Sequence, residues 1–234
     1  MKTFIIGDVH GCLAELERLL CAASIGAHDD VVFVGDLVAR GPDTLGVLEL
    51  AKRLDAKCVQ GNHERKLLQA YESESRGGPK VELPAGHRQL MGELRRRHWE
   101  FLRSMPLVLE LPQHQVCVVH AGLVPGLPLG QQDPWVLTHV RSIDEQGQPS
   151  TEPGSRLWAA TYRGPPHVVF GHSAQVGIQL HEHATGLDSG CVYGGRLTGL
   201  LIDEGRPVAA LDQRRRALIS VAAAKRYSEP RMQK

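Results

Sequence analysis

Long apolar runs, paired cysteines and a dominant charge are all missing from this 234-residue chain. No stretch approaches the roughly 20 apolar residues that span a bilayer. The N-terminal MKTFIIGDVHG is interrupted by Asp8 and His10 before it reaches the apolar length of a signal peptide. Cys12, Cys21, Cys58, Cys117 and Cys191 are odd in number, scattered and without CxxC spacing, which argues against disulfides or a thiolate zinc site. Reduced cysteines filling buried space in a cytoplasmic protein are expected instead. The formal net charge is only +1, so no general polyanion-binding surface and no obligate nucleic-acid partner is expected; any anion recognition should be local. Hydrophobic content of 42% and charged content of 23% are those of an ordinary globular protein, and the length suits one domain with a sizeable core.

What is present is a set of five short Val-, Ile- or Phe-rich runs, each ending on a metal-binding residue type. They are TFIIGD to Asp8, VVFVGD to Asp36, KCVQGNH to Asn62 and His63, VCVVHA to His120 and HVVFGH to His172. Runs of this length stopping near a glycine read as buried strands that hand their last residue to a loop, and the carboxyl ends of strands are where open α/β sheets build sites. Between the first runs, LAELERLLCAA, LGVLELAKRL and ERKLLQAYE show helical spacing, with Glu15, Glu17 and Arg18 placed outward on the first. Repeated β-α-β units imply parallel strands with right-handed crossovers. Residues 73–106 change character, predicting a polar loop followed by a helical cap. After Leu107 the signals LVLELP, GIQLHEH, ATGLDSG, GRLTGLLID and VAALD are mostly strand-like, at hairpin distances. The expected architecture is α/β: a parallel sheet and a largely antiparallel one, packed together and flanked by helices. One domain is expected over 1–220, with a charged, frayed tail at 221–234.

The polar ends of the five runs combine carboxylate, amide and imidazole with no thiolate. That set suits Mn, Fe, Zn, Co or Ni better than calcium. Asp8 and His10 can share one ion, Asp36 offers a second carboxylate able to bridge two ions, and Asn62, His120 and His172 add an amide oxygen and two imidazoles. Two such ions about 3.5–4 Å apart clamp a phosphate, acidify a bridging water and stabilise in-line displacement. His63, beside Asn62, is the expected general acid, with Glu64 and Asp43 as candidates for fixing its orientation. Arg40, in GDLVARGP, is expected to grip phosphoryl oxygens, and Arg141 to be a second clamp.

The ordered motifs GDVHG, GDLVARGP, GNHE, VVHAGL and FGH, spread from Phe4 to Thr198, resemble the calcineurin-like metallophosphoesterases of the phosphoprotein-phosphatase superfamily. The resemblance implies a four-layer α/β/β/α sandwich of two mixed sheets with a small helical cap. It also implies two divalent ions, manganese first among the alternatives, one held by Asp8, His10 and Asp36 and the other by Asp36, Asn62, His120 and His172. Protein phosphatases usually carry Asp where this chain has Ala39. The Ala form, with VVHAGLVPGLPLGQQ and GLDSGCVYGGRLTGL, is similar to the symmetrical diadenosine tetraphosphatases and their ApaH-like relatives. That resemblance implies a nucleotide polyphosphate substrate, with diadenosine tetraphosphate giving two ADP. A serine/threonine phosphoprotein phosphatase is the alternative.

Other residues admit a plainer reading. Asp188 can position a metal-binding histidine or cap its turn, and the turn role is the one expected to dominate. His181 and His183 are expected to alternate on an exposed strand. Arg95, Arg96 and Arg97 read as a solvated helix face, and Trp99 and Phe101 as cap core. Tyr193 is an aromatic candidate for the site's mouth.

Overall fold

A computed structural model describes residues 1–152, 154 and 156–230. The chain runs β1 (Lys2–Ile6), α1 (Leu13–Ala22), β2 (Asp30–Phe33), α2 (Thr44–Arg53), β3 (Lys57–Cys58), α3 (Asn62–Ser75), α4 (Ala85–Glu93), α5 (Arg96–Ser104) and β4 (Val108–Leu111). It continues through β5 (Val116–Val119), α6 (Pro134–His139), β6 (Ser142–Ile143), β7 (Pro149–Ser150), α7 (Trp158–Thr161), β8 (His167–Phe170), β9 (Gln179–Leu180), β10 (Ala184–Gly186), β11 (Arg196–Asp203), α8 (Leu211–Arg214) and β12 (Leu218–Ala222). Two mixed five-stranded sheets result, ordered β12-β11-β1-β2-β3 and β4-β5-β8-β10-β9, with β6 and β7 forming a separate two-stranded ribbon.

The layering arises from the two-residue period of each strand. On β1 and β2, Phe4, Ile6, Val31 and Phe33 face α1 and α2, meeting Leu16, Leu19, Val47 and Leu48. The alternate residues Ile5 and Val32 face the second sheet and meet Val116, Val118 and Val169. On the far side of that sheet, Cys117, Val168 and Phe170 bury against Leu137, Trp158 and Tyr162 from α6 and beyond. Three apolar interfaces separate four layers, as the α/β/β/α expectation requires. In the cap, Trp99 stacks on Tyr71 with centroids 4.1 Å apart, so it serves packing there.

Several details differ from the sequence reading. The second sheet is not largely antiparallel: its central strands β5, β8 and β10 run parallel. Strand β11, read as part of that sheet, instead pairs antiparallel with β1 in the first. VAALD leads into α8 rather than forming a strand, and His181 and His183 lie in the turn between β9 and β10. The main correction concerns Glu15 and the tail together. Glu15 is fully buried rather than turned outward; its carboxylate accepts from Ala224 N at 2.8 Å and from the Tyr227 hydroxyl at 3.0 Å. The C-terminal segment therefore docks on α1 after β12 instead of fraying from 221 onward, and Tyr227 N and Ser228 N both donate to Val192 O. The remainder of that predicted tail, 231–234, lies outside the described residues.

Candidate metal centre

Parallel direction carries site residues to one end of each sheet. Asp8 comes after β1, Asp36 after β2, and Asn62 and His63 open α3 after β3. From the second sheet, His120 comes after β5, His172 after β8 and Asp188 after β10. Four of the residues predicted for the site take left-handed backbone: His10 (φ 47°), Asp36 (φ 50°), Arg40 (φ 70°) and His172 (φ 67°). Non-glycine residues enter that region at a cost of order 1–3 kcal/mol each and stay only where neighbours enforce it.

The enforcing contacts are visible. Glu64 accepts from four backbone N–H groups, those of Asp36 (2.9 Å), Leu37 (2.8 Å), Val38 (3.1 Å) and Gly61 (2.8 Å). Its role is to hold the Asp36 loop, not the His63 imidazole. Asp43 does not orient His63 either: it caps α2, accepting from Gly46 N at 2.7 Å. Asp8 accepts from His172 N through both oxygens, at 3.2 and 3.1 Å, which ties the two sheets across the site. Backbone approach here is close enough that a Cβ at Gly171 would overlap Asp8 Oδ1, and one at Gly61 would overlap Asp36 Oδ1.

Donor atoms converge on Asp36. Its Oδ2 lies 3.4 Å from His10 Nε2 and 3.5 Å from His120 Nε2. Asn62 Oδ1 lies 3.0 Å from His120 Nε2 and 3.1 Å from His172 Nδ1. The opposite ring nitrogens are all engaged with carbonyls: His10 Nδ1 with Val38 O (3.0 Å), His120 Nδ1 with Val34 O (2.8 Å) and His172 Nε2 with His139 O (3.2 Å). A nitrogen facing a carbonyl must carry the proton, so in the neutral ring the other nitrogen presents a lone pair to the site. Lone pairs of His120 and His172 then face the Asn62 oxygen, an arrangement that a cation between them satisfies. Carbonyl-anchored imidazoles are also the usual support of metal-binding histidines. The residues fit divalent ions.

Electrostatics point the same way. Burial, then the carboxylates of Asp188 and Asp36, pushes the Asp8 carboxyl well above its usual range. Burial pushes Asp36 up to about 7 and Glu64 up to about 7. Burial, then Arg40, holds His10 well below its ordinary value, and burial, then His120, does the same for His172. A site that disfavours both ionised carboxylates and protonated imidazoles is one that added positive charge without protons would relieve.

Around this centre lies a cavity of about 610 Å³, lined by Arg40, Arg141, His139, Tyr193 and Asp188 among others. Arg40 Nη1 lies 2.9 Å from His10 Nε2, and its guanidinium sits 5.4 Å from the Tyr193 ring centroid. Arg141 donates to Thr151 O at 2.8 Å and to His172 O at 3.4 Å, while its Nε is buried and has no partner among the described residues. Asp188 accepts from Gly190 N at 3.0 Å, the expected turn contact, and also faces the cavity. His63 faces an adjoining cavity shared with Arg40 and Asn62. No predicted carboxylate reaches it; instead the His87 ring from α4 lies tilted against it with centroids 4.7 Å apart, and His63 N donates to Asp36 Oδ1 at 3.0 Å. His87 and His139 went unrecognised, because neither stands at the end of an apolar run. Arg96 and Arg97 pair with Glu100 and Glu49, each at 2.7 Å, as surface residues of α5.

Two sheets that deliver carboxylate, amide and imidazole donors to one cleft define a metal-dependent phosphoesterase. The Calcineurin-like phosphoesterase family matches residues 1–201, and the chain belongs to it. Among similar proteins, the bis(5'-nucleosyl)-tetraphosphatase PrpE (asymmetrical) of Oceanobacillus iheyensis is 32% identical over 225 residues, covering 87% of this chain and 90% of the relative. The protein of the same name from Geobacillus sp. is 31% identical, covering 87% and 91%. A crystal structure provisionally described as a diadenosine tetraphosphatase superposes with a TM-score of 0.81 at 38% identity, covering 95% of this chain and 93% of that one. A Saccharomyces cerevisiae protein serine/threonine phosphatase shares the fold alone, with a TM-score of 0.56 at 16% identity, covering 100% of this chain and 81% of its own. Among the described residues no helix is long and apolar enough to cross a membrane.

Proposed function

We propose that this enzyme hydrolyses a phosphoanhydride bond of a dinucleoside polyphosphate, with diadenosine tetraphosphate as the model substrate. The reading rests on the convergence of Asp36, Asn62, His120 and His172 donor atoms, with the back-side nitrogens of both imidazoles tied to carbonyls. Relatives named as tetraphosphatases supply the substrate class. Asp8, His10 and Asp36 would hold one divalent ion and Asp36, Asn62, His120 and His172 the other, with manganese the first choice and Fe, Zn, Co and Ni alternatives. When bound, the ions supply Lewis-acid stabilisation of phosphoryl oxygens and an acidified water.

The chain's own residues do the rest. Arg40 and Arg141, both in the cavity lining, neutralise non-reacting phosphoryl oxygens. His63 delivers a proton to the oxygen of the leaving phosphate. Burial, then His10 and Arg40, holds its pKa well below the ordinary imidazole value, so the proton is surrendered readily once the negative charge of a bound polyphosphate has favoured its uptake. Asp188 shapes the cavity wall through its turn, and the five free thiols suit a reducing, cytoplasmic compartment.

The symmetrical cut implied by motif resemblance gives two ADP, whereas the relatives carry the asymmetrical name, which favours ATP plus AMP. We adopt the asymmetrical products. The test incubates the manganese-supplemented protein with diadenosine tetraphosphate or a phosphothreonine peptide and resolves the products by ion exchange. Equal ATP and AMP supports the proposal. ADP alone moves the cut to the centre of the chain. Phosphate released only from the peptide overturns the substrate class.

A further inference from the structure

Behind the catalytic cleft, three buried side chains from distant parts of the sequence meet. Cys12 and Glu15 stand one turn apart at the start of α1, and Cys191 opens the turn that comes after Asp188. Their ligand atoms all lie within 4.8 Å of one another, and their exposures are 0%, 0% and 2%. Glu15 Oε1 is fully used: it accepts from Arg18, Ala224 N and the Tyr227 hydroxyl. Among the described residues, Glu15 Oε2 is buried with no hydrogen-bond partner. An orphaned carboxylate oxygen beside two reduced thiols is an incomplete polar cluster, and buried polar atoms ordinarily find partners.

We infer that Cys12, Glu15 and Cys191 form a second metal site, separate from the catalytic donors and selective for a thiophilic divalent cation of the zinc class. Two sulfurs and one carboxylate oxygen make a donor set typical of tetrahedral zinc, with Zn–S about 2.3 Å and Zn–O about 2.0–2.2 Å. Tetrahedral bonds of that length place two sulfurs about 3.8 Å apart, so the sulfur pair, no more than 4.8 Å apart, needs a contraction of at most about an ångström. The Tyr227 hydroxyl, 3.0 Å from Glu15 Oε1, stands beside the group as a further oxygen donor. The catalytic centre contains no thiol, so the softness of the ligands separates the two sites chemically. Binding would release the two thiol protons to solvent and leave both sulfurs as thiolates.

The location gives the site a structural consequence. Cys12 lies two residues beyond His10 and Cys191 three beyond Asp188. Glu15 anchors the C-terminal segment, whose Pro230 lines the catalytic cavity. A cation here joins the first metal-ligand loop, the cavity wall and the C-terminal segment at one point. The inference does not depend on which bond the enzyme cleaves.

The test is zinc-edge X-ray absorption of the full-length protein loaded to saturation under reducing conditions. A zinc–sulfur shell at about 2.3 Å, retained in Cys21→Ser and reduced to half or less in Cys191→Ser, is the expected result. Scattering from nitrogen and oxygen alone at full loading overturns the site, and so does a sulfur shell undiminished in Cys191→Ser. If the variant does not fold, the wild-type spectrum, taken with Cys21→Ser to remove the one exposed thiol, still decides. Catalytic turnover enters neither readout, so failure here is distinguishable from failure of the proposed reaction.

Discussion

Single side chains near the cleft are held by backbone more than by one another. His63 takes its position from the Asp36 oxygen that accepts its N–H and from the His87 ring beside it. Replacing it with Ala should lower kcat by about 10²–10⁴-fold with little change in bound metal, because the proton donor is lost while the donor atoms around Asp36 remain. Steady-state kinetics with metal analysis check this, and unchanged kcat removes His63 from the acid role. A second residue makes a statement about pH. Burial, then the nearby Arg214 charge, brings His167 down to about 3. The unfolded chain, with imidazole near 6.5, then binds one proton more than the folded protein between those values, so this histidine makes stability fall as pH drops from about 6.5 toward 3. The slope is at most about 1.4 kcal/mol per pH unit. Urea midpoints of His167→Gln should show a shallower decline than wild type across that window and the same trend above it.

Among the elements, the short ones matter most. Helix α8 is a single turn, yet its Arg214 is buried and donates to carbonyls of Ala209, His181 and Glu182. It ties the β9–β10 turn of the second sheet to the β11–β12 connection of the first. Arg214→Ala should cost about 2–4 kcal/mol by leaving those carbonyls unsatisfied. Arg214→Lys should recover only part of that, since an ammonium cannot reproduce the planar fork. Chemical denaturation of both variants tests the point, and an Arg214→Ala protein as stable as wild type would show that water replaces the guanidinium at no cost.

At the scale of the molecule, folding gathers Asp8, Asp36 and Asp188 into one buried cleft, and their carboxyl groups are pushed above the usual range chiefly by burial. Divalent cations should therefore raise the melting temperature. A ligand present at about 100 times its Kd contributes about 2.7 kcal/mol if it binds the folded state alone. Calorimetry with and without manganese, repeated after chelation, should show the shift, and Asp36→Asn should lose most of it. A melting temperature indifferent to metal would contradict the donor geometry as a cation site.

The residues themselves announced much of this. Five apolar runs ending on Asp, Asn or His sufficed to locate Asp8, Asp36, Asn62, His120 and His172, because a buried strand can be recognised from its own few residues and carries the next residue to the sheet's end. Other features depended on partners far away in the chain. Glu15 has the local spacing of a solvent-facing position, and only the docking of Ala224 and Tyr227 makes it a buried anchor. Asp43 and Glu64 stood near the right motifs, but which N–H groups they accept is set by loop geometry, not by neighbourhood in sequence. The order and direction of β5, β8, β10 and β11 were likewise invisible, since strand pairing is chosen by which apolar faces can be buried together. Sequence alone thus determined most of the longer strands, the side-chain types at their ends and the class of chemistry, all of which are local. Tertiary structure decided the back-side hydrogen bonds, the neighbours of His63 and the meeting of Cys12 with Cys191, because each needs backbone segments distant in sequence to be brought together and desolvated.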